Sequence, residues 1–198
     1  MKSNVCIVDQ GTRDLDTILK ESERVAEYNG LTSKQALQLR LLCEEVDGML
    51  PHIVDRFNGE LWIEYDNGVC KVNVSIEIFE LNSGRKRELI EISSNKKNSS
   101  AVGIAGKIRC AVEDFLLNEE EYVNSTAAGF FHPSTGYSEV MDYSYLWSLE
   151  QYKIAVNRDE NTEEWDELEK SVIASVADDV IVGVKGNKAD IIIVKKFA

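Results

Sequence analysis

Proline and histidine are scarce in this chain, with two of each in 198 residues. The four cysteines, Cys6, Cys43, Cys70 and Cys110, include no closely spaced pair. A structural zinc site draws four Cys or His ligands at short spacings, so this supply argues against one. Each cysteine lies in an apolar or mixed segment and is expected to be a small buried hydrophobe. No apolar run approaches the roughly 20 residues that cross a bilayer. The opening MKSNVCIVDQGTRD lacks the apolar core of a secretion signal, so a cytoplasmic location and no membrane partner are expected. Positive charge is also short. There are 22 Lys and Arg against 35 Asp and Glu, a formal net charge of -13. Such a protein presents no general cationic surface to a nucleic-acid backbone. Lys96, Lys97, Lys107 and Arg109 leave room for one local basic patch.

What is present suffices for a core. The hydrophobic fraction is 43%, and the length suits one domain with a long insertion. Residues 4–8 read as a short strand, and 13–28 as a helix with Leu15, Ile18, Leu19 and Val25 on one side. Asn29-Gly30 reads as its left-handed cap. Thr32 and Gln35 form a capping-box pattern for a second helix. The apolar positions of that helix include Leu37, Leu41, Leu42, Val46 and Leu50. Pro51 should kink it or end it near Leu50.

Two strands follow, over 60–65 and 70–81. Asp66-Asn67-Gly68 turns between them. Val72, Val74, Ile76 and Ile78 lie on one face; Asn73, Ser75 and Glu77 lie on the other, which predicts a strand buried on one side. A helix is expected from about Val102 to Leu117. Residues 119–145 fit no regular pattern, and 146–157 read equally as helix or strand. Residues 163–177 form a helix with Trp165, Leu168, Val172, Ile173 and Val176 on one side. Residues 180–184 and 190–197 form an antiparallel hairpin across Lys185-Gly186-Asn187-Lys188. The three tryptophans, Trp62, Trp147 and Trp165, read as core or interface anchors. The class is α+β: a two-layer sandwich whose mixed, mostly antiparallel sheet is covered by helices on one face.

Chemistry is carried most clearly by the second helix. Glu44, Gly48 and His52 are four apart and share one helical face, flanked by Glu45 and Asp47. Acidic groups on a helix beside a sheet can hold a divalent cation or polarise a water. A solvated polar face with a satisfied histidine has the same spacing. Gly103-Ile104-Ala105-Gly106-Lys107 opens a helix. Glycines there let backbone N–H groups approach a phosphate, and Lys107 adds charge. Close helix packing explains those small residues equally well. The run is not a Walker A loop, which needs Gly-x-x-x-x-Gly-Lys-Ser/Thr.

Taken together, the helix, the Asn29-Gly30 turn and the second helix with LRLLCEEVDGML resemble the opening of the GHKL ATPase fold, the Bergerat-like fold of histidine kinases, MutL and gyrase B. The likeness is greatest to the anti-sigma-factor serine kinases. That family's first motif is a glutamate, an asparagine four residues on, and often a histidine four beyond. Glu44 and His52 match the outer positions, and Gly48 stands at the middle one. The resemblance implies Glu44 as the catalytic acid or base. It implies Asp47, Gly48, His52, Glu77, Gly103, Gly106 and Lys107 around a nucleotide, with ATP and magnesium as cofactor. In the family the asparagine holds the magnesium. Glycine offers no side-chain ligand, and Asp47 would substitute only with distortion. The family's Asp-x-Gly-x-Gly run is missing, with Glu77 the nearest acid. Over 10–100 and 160–198 the resemblance therefore implies a regulatory relative, non-catalytic or weakly nucleotide-binding. It would act through a protein partner of the sigma/anti-sigma kind, and a homodimer is open to it. Residues 101–160 would replace the ATP lid. Two other expectations stand beside it: an ATP-dependent serine kinase or ATPase with rearranged motifs, and an unrelated α+β interaction domain.

Overall fold

The computed structural model describes residues 1–9, 11, 14–80, 104–117, 144–159 and 171–197. Local chemistry sets the first helical hairpin. Helix α1 spans Leu15–Tyr28, and the Asp14 carboxylate accepts from Thr17 N at its start. Those hydrogen bonds from the Thr17 side chain and backbone hold the Asp14 carboxyl below its ordinary value. At the far end Leu31 N donates to Ala26 O at 2.9 Å and Gly30 N to Glu27 O at 3.1 Å. This is the paired closure of a Schellman motif, with Gly30 at φ 64°.

Helix α2, Ser33–Ile53, begins with the Thr32–Gln35 capping box complete. It passes through Pro51 and ends beyond the expected stop near Leu50, with Val54 N donating to Leu50 O at 3.1 Å. Proline in the last turn deletes one N–H bond, and the preceding turns are already formed. Leu37, expected in the apolar stripe, is 64% exposed, while Leu39 is fully buried. Two residues on a helix are about 200° apart, so only one of this pair can face the sheet.

The sheet has six strands in the order β1-β2-β3-β6-β5-β4. They are β1 Cys6–Asp9, β2 Arg56–Asp66, β3 Val69–Glu80, β4 Ser144–Ser148, β5 Asp179–Lys185 and β6 Lys188–Lys196. Every described ladder is antiparallel, so the expected mixed pairing is not found among the described residues. The turn between β2 and β3 uses Asn67 at φ 48° and Gly68 at φ 82°. These left-handed angles are the ones a two-residue I′ hairpin demands. The hairpin β5–β6 joins the same sheet beside β3.

Three further helices are described: α3 Ile104–Leu117, α4 Leu149–Asp159 and α5 Val172–Val176. The inward rows of the strands meet the buried faces of the helices in one core. Leu61, Ile63, Val72, Val74, Val182 and Ile191 come from the sheet; Ile18, Leu42, Val46 and Leu50 come from α1 and α2. Ile108, Val112 and Phe115 of α3 complete it. The architecture is thus a two-layer α/β sandwich, with an open antiparallel sheet. Gly59 lets the ladder close: a Cβ there would stand 2.5 Å from Ser75 O and 2.7 Å from Ile76 Cγ2.

The outward face of β3 is less uniform than alternation suggests. Ser75 and Glu77 are partly exposed there, but Asn73 is buried. Trp62 is also on this face, partly exposed. Its Nε1 donates to Glu64 Oε1, and Lys2 Nζ stands 4.6 Å from its ring centroid. The segment expected as helix or strand over 146–157 is both, β4 followed by α4. The stretch read as a lid replacement therefore supplies the edge strand β4, with α4 packed on β4 and β5, and the helix α3 that packs against α2. Of the expected helix 163–177, Val172–Val176 are helical between the caps Ser171 and Ala177, and only 171–177 lie among the described residues. Trp165, Leu168, Lys96, Lys97 and Gly103 lie outside them.

Candidate functional site

The site must be built from α2, because that helix carries the acidic stripe. Its buried arc holds Leu39, Leu42, Val46, Leu50 and Ile53. At about 100° per residue, Glu44, Gly48 and His52 fall on the opposite arc. The stripe therefore points away from the sheet. Glu44 is partly exposed and pairs with Arg40, Nε to Oε1 at 3.6 Å. The same Arg40 reaches Glu23 of α1, Nη1 to Oε1 at 2.5 Å. His52 is exposed in the last turn of α2.

Gly48 is exposed, and a Cβ built on it would meet nothing within 4 Å. Its φ is not in the left-handed region. Neither packing nor backbone geometry requires a glycine here. Against alanine it costs the helix about 1 kcal/mol.

The remaining candidates do not gather around this stripe. Asp47 lies on the buried side of α2, near 100° from Gly48. Glu77 is on the outward face of the sheet, opposite the helices, and accepts from Asn187 Nδ2 at 3.0 Å. Gly106 and Lys107 belong to the first turns of α3. Lys107 Nζ stands 4.9 Å from the Tyr152 ring centroid of α4, a cation–π contact. So Glu44, Gly48 and His52 are brought together, while Asp47, Glu77, Gly106 and Lys107 sit elsewhere. Among the described residues, no group of three or more His, Cys, Asp or Glu side chains is placed to hold a metal ion. The residues that the resemblance assigns to ATP and magnesium do not fit one site in this arrangement.

Sequence reasoning missed the most buried charge among the described residues. Arg109, expected in a basic patch, is 1% exposed. Its Nε donates to Glu113 Oε1 at 2.7 Å and its Nη2 to Asp55 Oδ2 at 3.0 Å. Asp55 lies just past Val54, the C-cap of α2, so the guanidinium ties the end of α2 to α3. A buried cation is tolerable only with such partners. The spacing of Arg109 and Glu113 hinted at the helical half of this triad. Nothing in the sequence announced Asp55.

Cys6, Cys43 and Cys70 are buried as expected, whereas Cys110 is exposed. Burial pushes Cys70 up to about 12 and raises Cys43 further. Both stay protonated at neutral pH, and a thiol is a poor nucleophile. No helix among the described residues is long and apolar enough to cross a membrane. Compared with protein-family models, with curated proteins and with solved structures, the chain matches none.

Proposed function

We propose that this chain is a regulatory domain on the histidine kinase-like ATPase plan that works by holding a protein partner, with its nucleotide chemistry reduced or lost. The carrying observation is Gly48. It interrupts the Glu44–His52 stripe where the family pattern needs a metal ligand, and the space around it is open. A larger side chain would fit, so its absence is not forced by packing.

Two features support the plan itself. The helix bearing the stripe packs on the sheet through Val46 and Leu50, and the terminal hairpin lies beside β3 in that same sheet. A separate sheet for the hairpin would have favoured an unrelated interaction domain. The outward stripe of α2, with Leu37, Glu44 and His52 reachable from solvent, is the surface we assign to a partner.

Calorimetric titration with magnesium–ATP and magnesium–ADP tests this reading. Weak or no binding is expected, unchanged by Glu44→Ala. Tight binding abolished by Glu44→Ala or Asp47→Asn would replace it with the ATP-dependent kinase or ATPase. Phosphate release, or serine phosphorylation of a partner above a no-enzyme control, would do the same.

A further inference from the structure

The two ends of the sheet are finished differently. At one end β4 is broken by a register irregularity between Tyr145 and Trp147. At the other, β1 runs Cys6–Asp9 in unbroken register along β2, and the one-residue shift on this edge lies upstream of it, between the Lys2–Glu64 bridge and Cys6. Irregularity, proline, lysine and inward charge are devices that blunt an edge strand. Cys6–Asp9 contains no proline or lysine, and its inward side chains are Cys6 and Val8.

The direction of the free backbone groups follows from the ladder. Tyr65 N donates to Met1 O and Ser3 N donates to Ile63 O, each at 2.8 Å. Tyr65 and Ile63 thus aim their backbone groups at the N-terminal strand. By alternation Leu61 and Gly59 do so too. Their register partners Cys6 and Val8 spend their groups on β2. The N–H and C=O of Ile7 therefore point outward from the sheet. Beside them Val5 is 46% and Ile7 58% exposed.

We infer that β1 pairs with β1 of a second copy of this chain, antiparallel about a two-fold axis through Ile7. The axis joins each Ile7 N–H to the other copy's Ile7 C=O. It also sets Val5 against Asp9 of the other copy. Odd positions face odd positions, so on the outward face Ile7 meets Ile7 of the other copy, flanked on each side by a Val5–Asp9 pair. Charge permits this pairing despite the net -13. Asp9 is the one charge in Cys6–Asp9. The two copies of Asp9 lie four positions apart along the seam, about 14 Å at 3.4 Å per residue. That exceeds the roughly 8 Å screening length at physiological salt. The inference is independent of the proposed function.

Sedimentation equilibrium of the full chain over a range of concentrations tests it. A monomer–dimer equilibrium is expected. Ile7→Lys should shift it to monomer with the far-ultraviolet circular dichroism unchanged. Ile7→Pro should do the same, since it removes an N–H that β2 does not use. Hydrogen exchange on the wild type requires no variant: the Ile7 amide should be protected more as concentration rises. A monomer at every concentration would overturn the inference. So would a dimer that both variants leave intact, or Ile7 exchange indifferent to concentration.

Discussion

Arg40 and Arg109 each stand between two carboxylates, yet the two triads have little else in common. Arg40 bridges Glu23 and Glu44 on the outer side of α1 and α2, where all three side chains are 39% exposed or more. Arg109 bridges Asp55 and Glu113 between α2 and α3, with the guanidinium itself out of water. In the outer triad water already solvates each charge, so the ion pairs add little. In the inner triad the partners replace solvation that burial has removed. The same three groups thus decorate one side of α2 and fasten the other.

Denaturant titrations put this contrast at risk. Arg109→Met should have the largest effect, about 3–5 kcal/mol of lost stability, because it leaves Asp55 and Glu113 without their cation. A loss below about 1 kcal/mol would mean that the inner triad is no clamp.

Glycines sharpen the comparison between inside and outside. Gly59→Ala should cost about 1–3 kcal/mol, since its new Cβ overlaps Ser75 O and Ile76. Gly48→Ala should instead gain about 1 kcal/mol, as the helix interior prefers alanine and the site is open. If Gly48→Ala destabilises the fold, the outer stripe is not the open surface described above.

Arg40→Met should have the smallest effect, about 0.2–1 kcal/mol, and its cost should vanish in 1 M salt. The cost of Arg109→Met should persist there. Equal salt responses would erase the distinction between the two triads.

Legibility in the sequence followed the range of the interaction. Caps and tight turns involve neighbours within a few residues, so Asp66-Asn67-Gly68 and Thr32–Gln35 could be read directly. Alternation along β3 already put Glu77 on the face opposite Val74 and Ile76. It was the family resemblance that drew Glu77 toward the helix side. Arg109 was misjudged because lysines nearby in sequence suggested a patch, whereas its partner Asp55 is remote along the chain. Leu37 and Leu39 both suit a helical apolar stripe until the direction of the sheet is known.

The sequence by itself determined where the first two helices begin, where the hairpins turn, and that Gly48 offers no side-chain ligand midway along the Glu44–His52 stripe. These follow from residue type and from contacts a few positions long. Only the tertiary structure decided that the stripe faces solvent while Asp47 turns inward, and that Arg109 is buried between two acids. Burial is a property of the packed layers, and a side chain's direction has meaning only once the helix has a sheet to lie on.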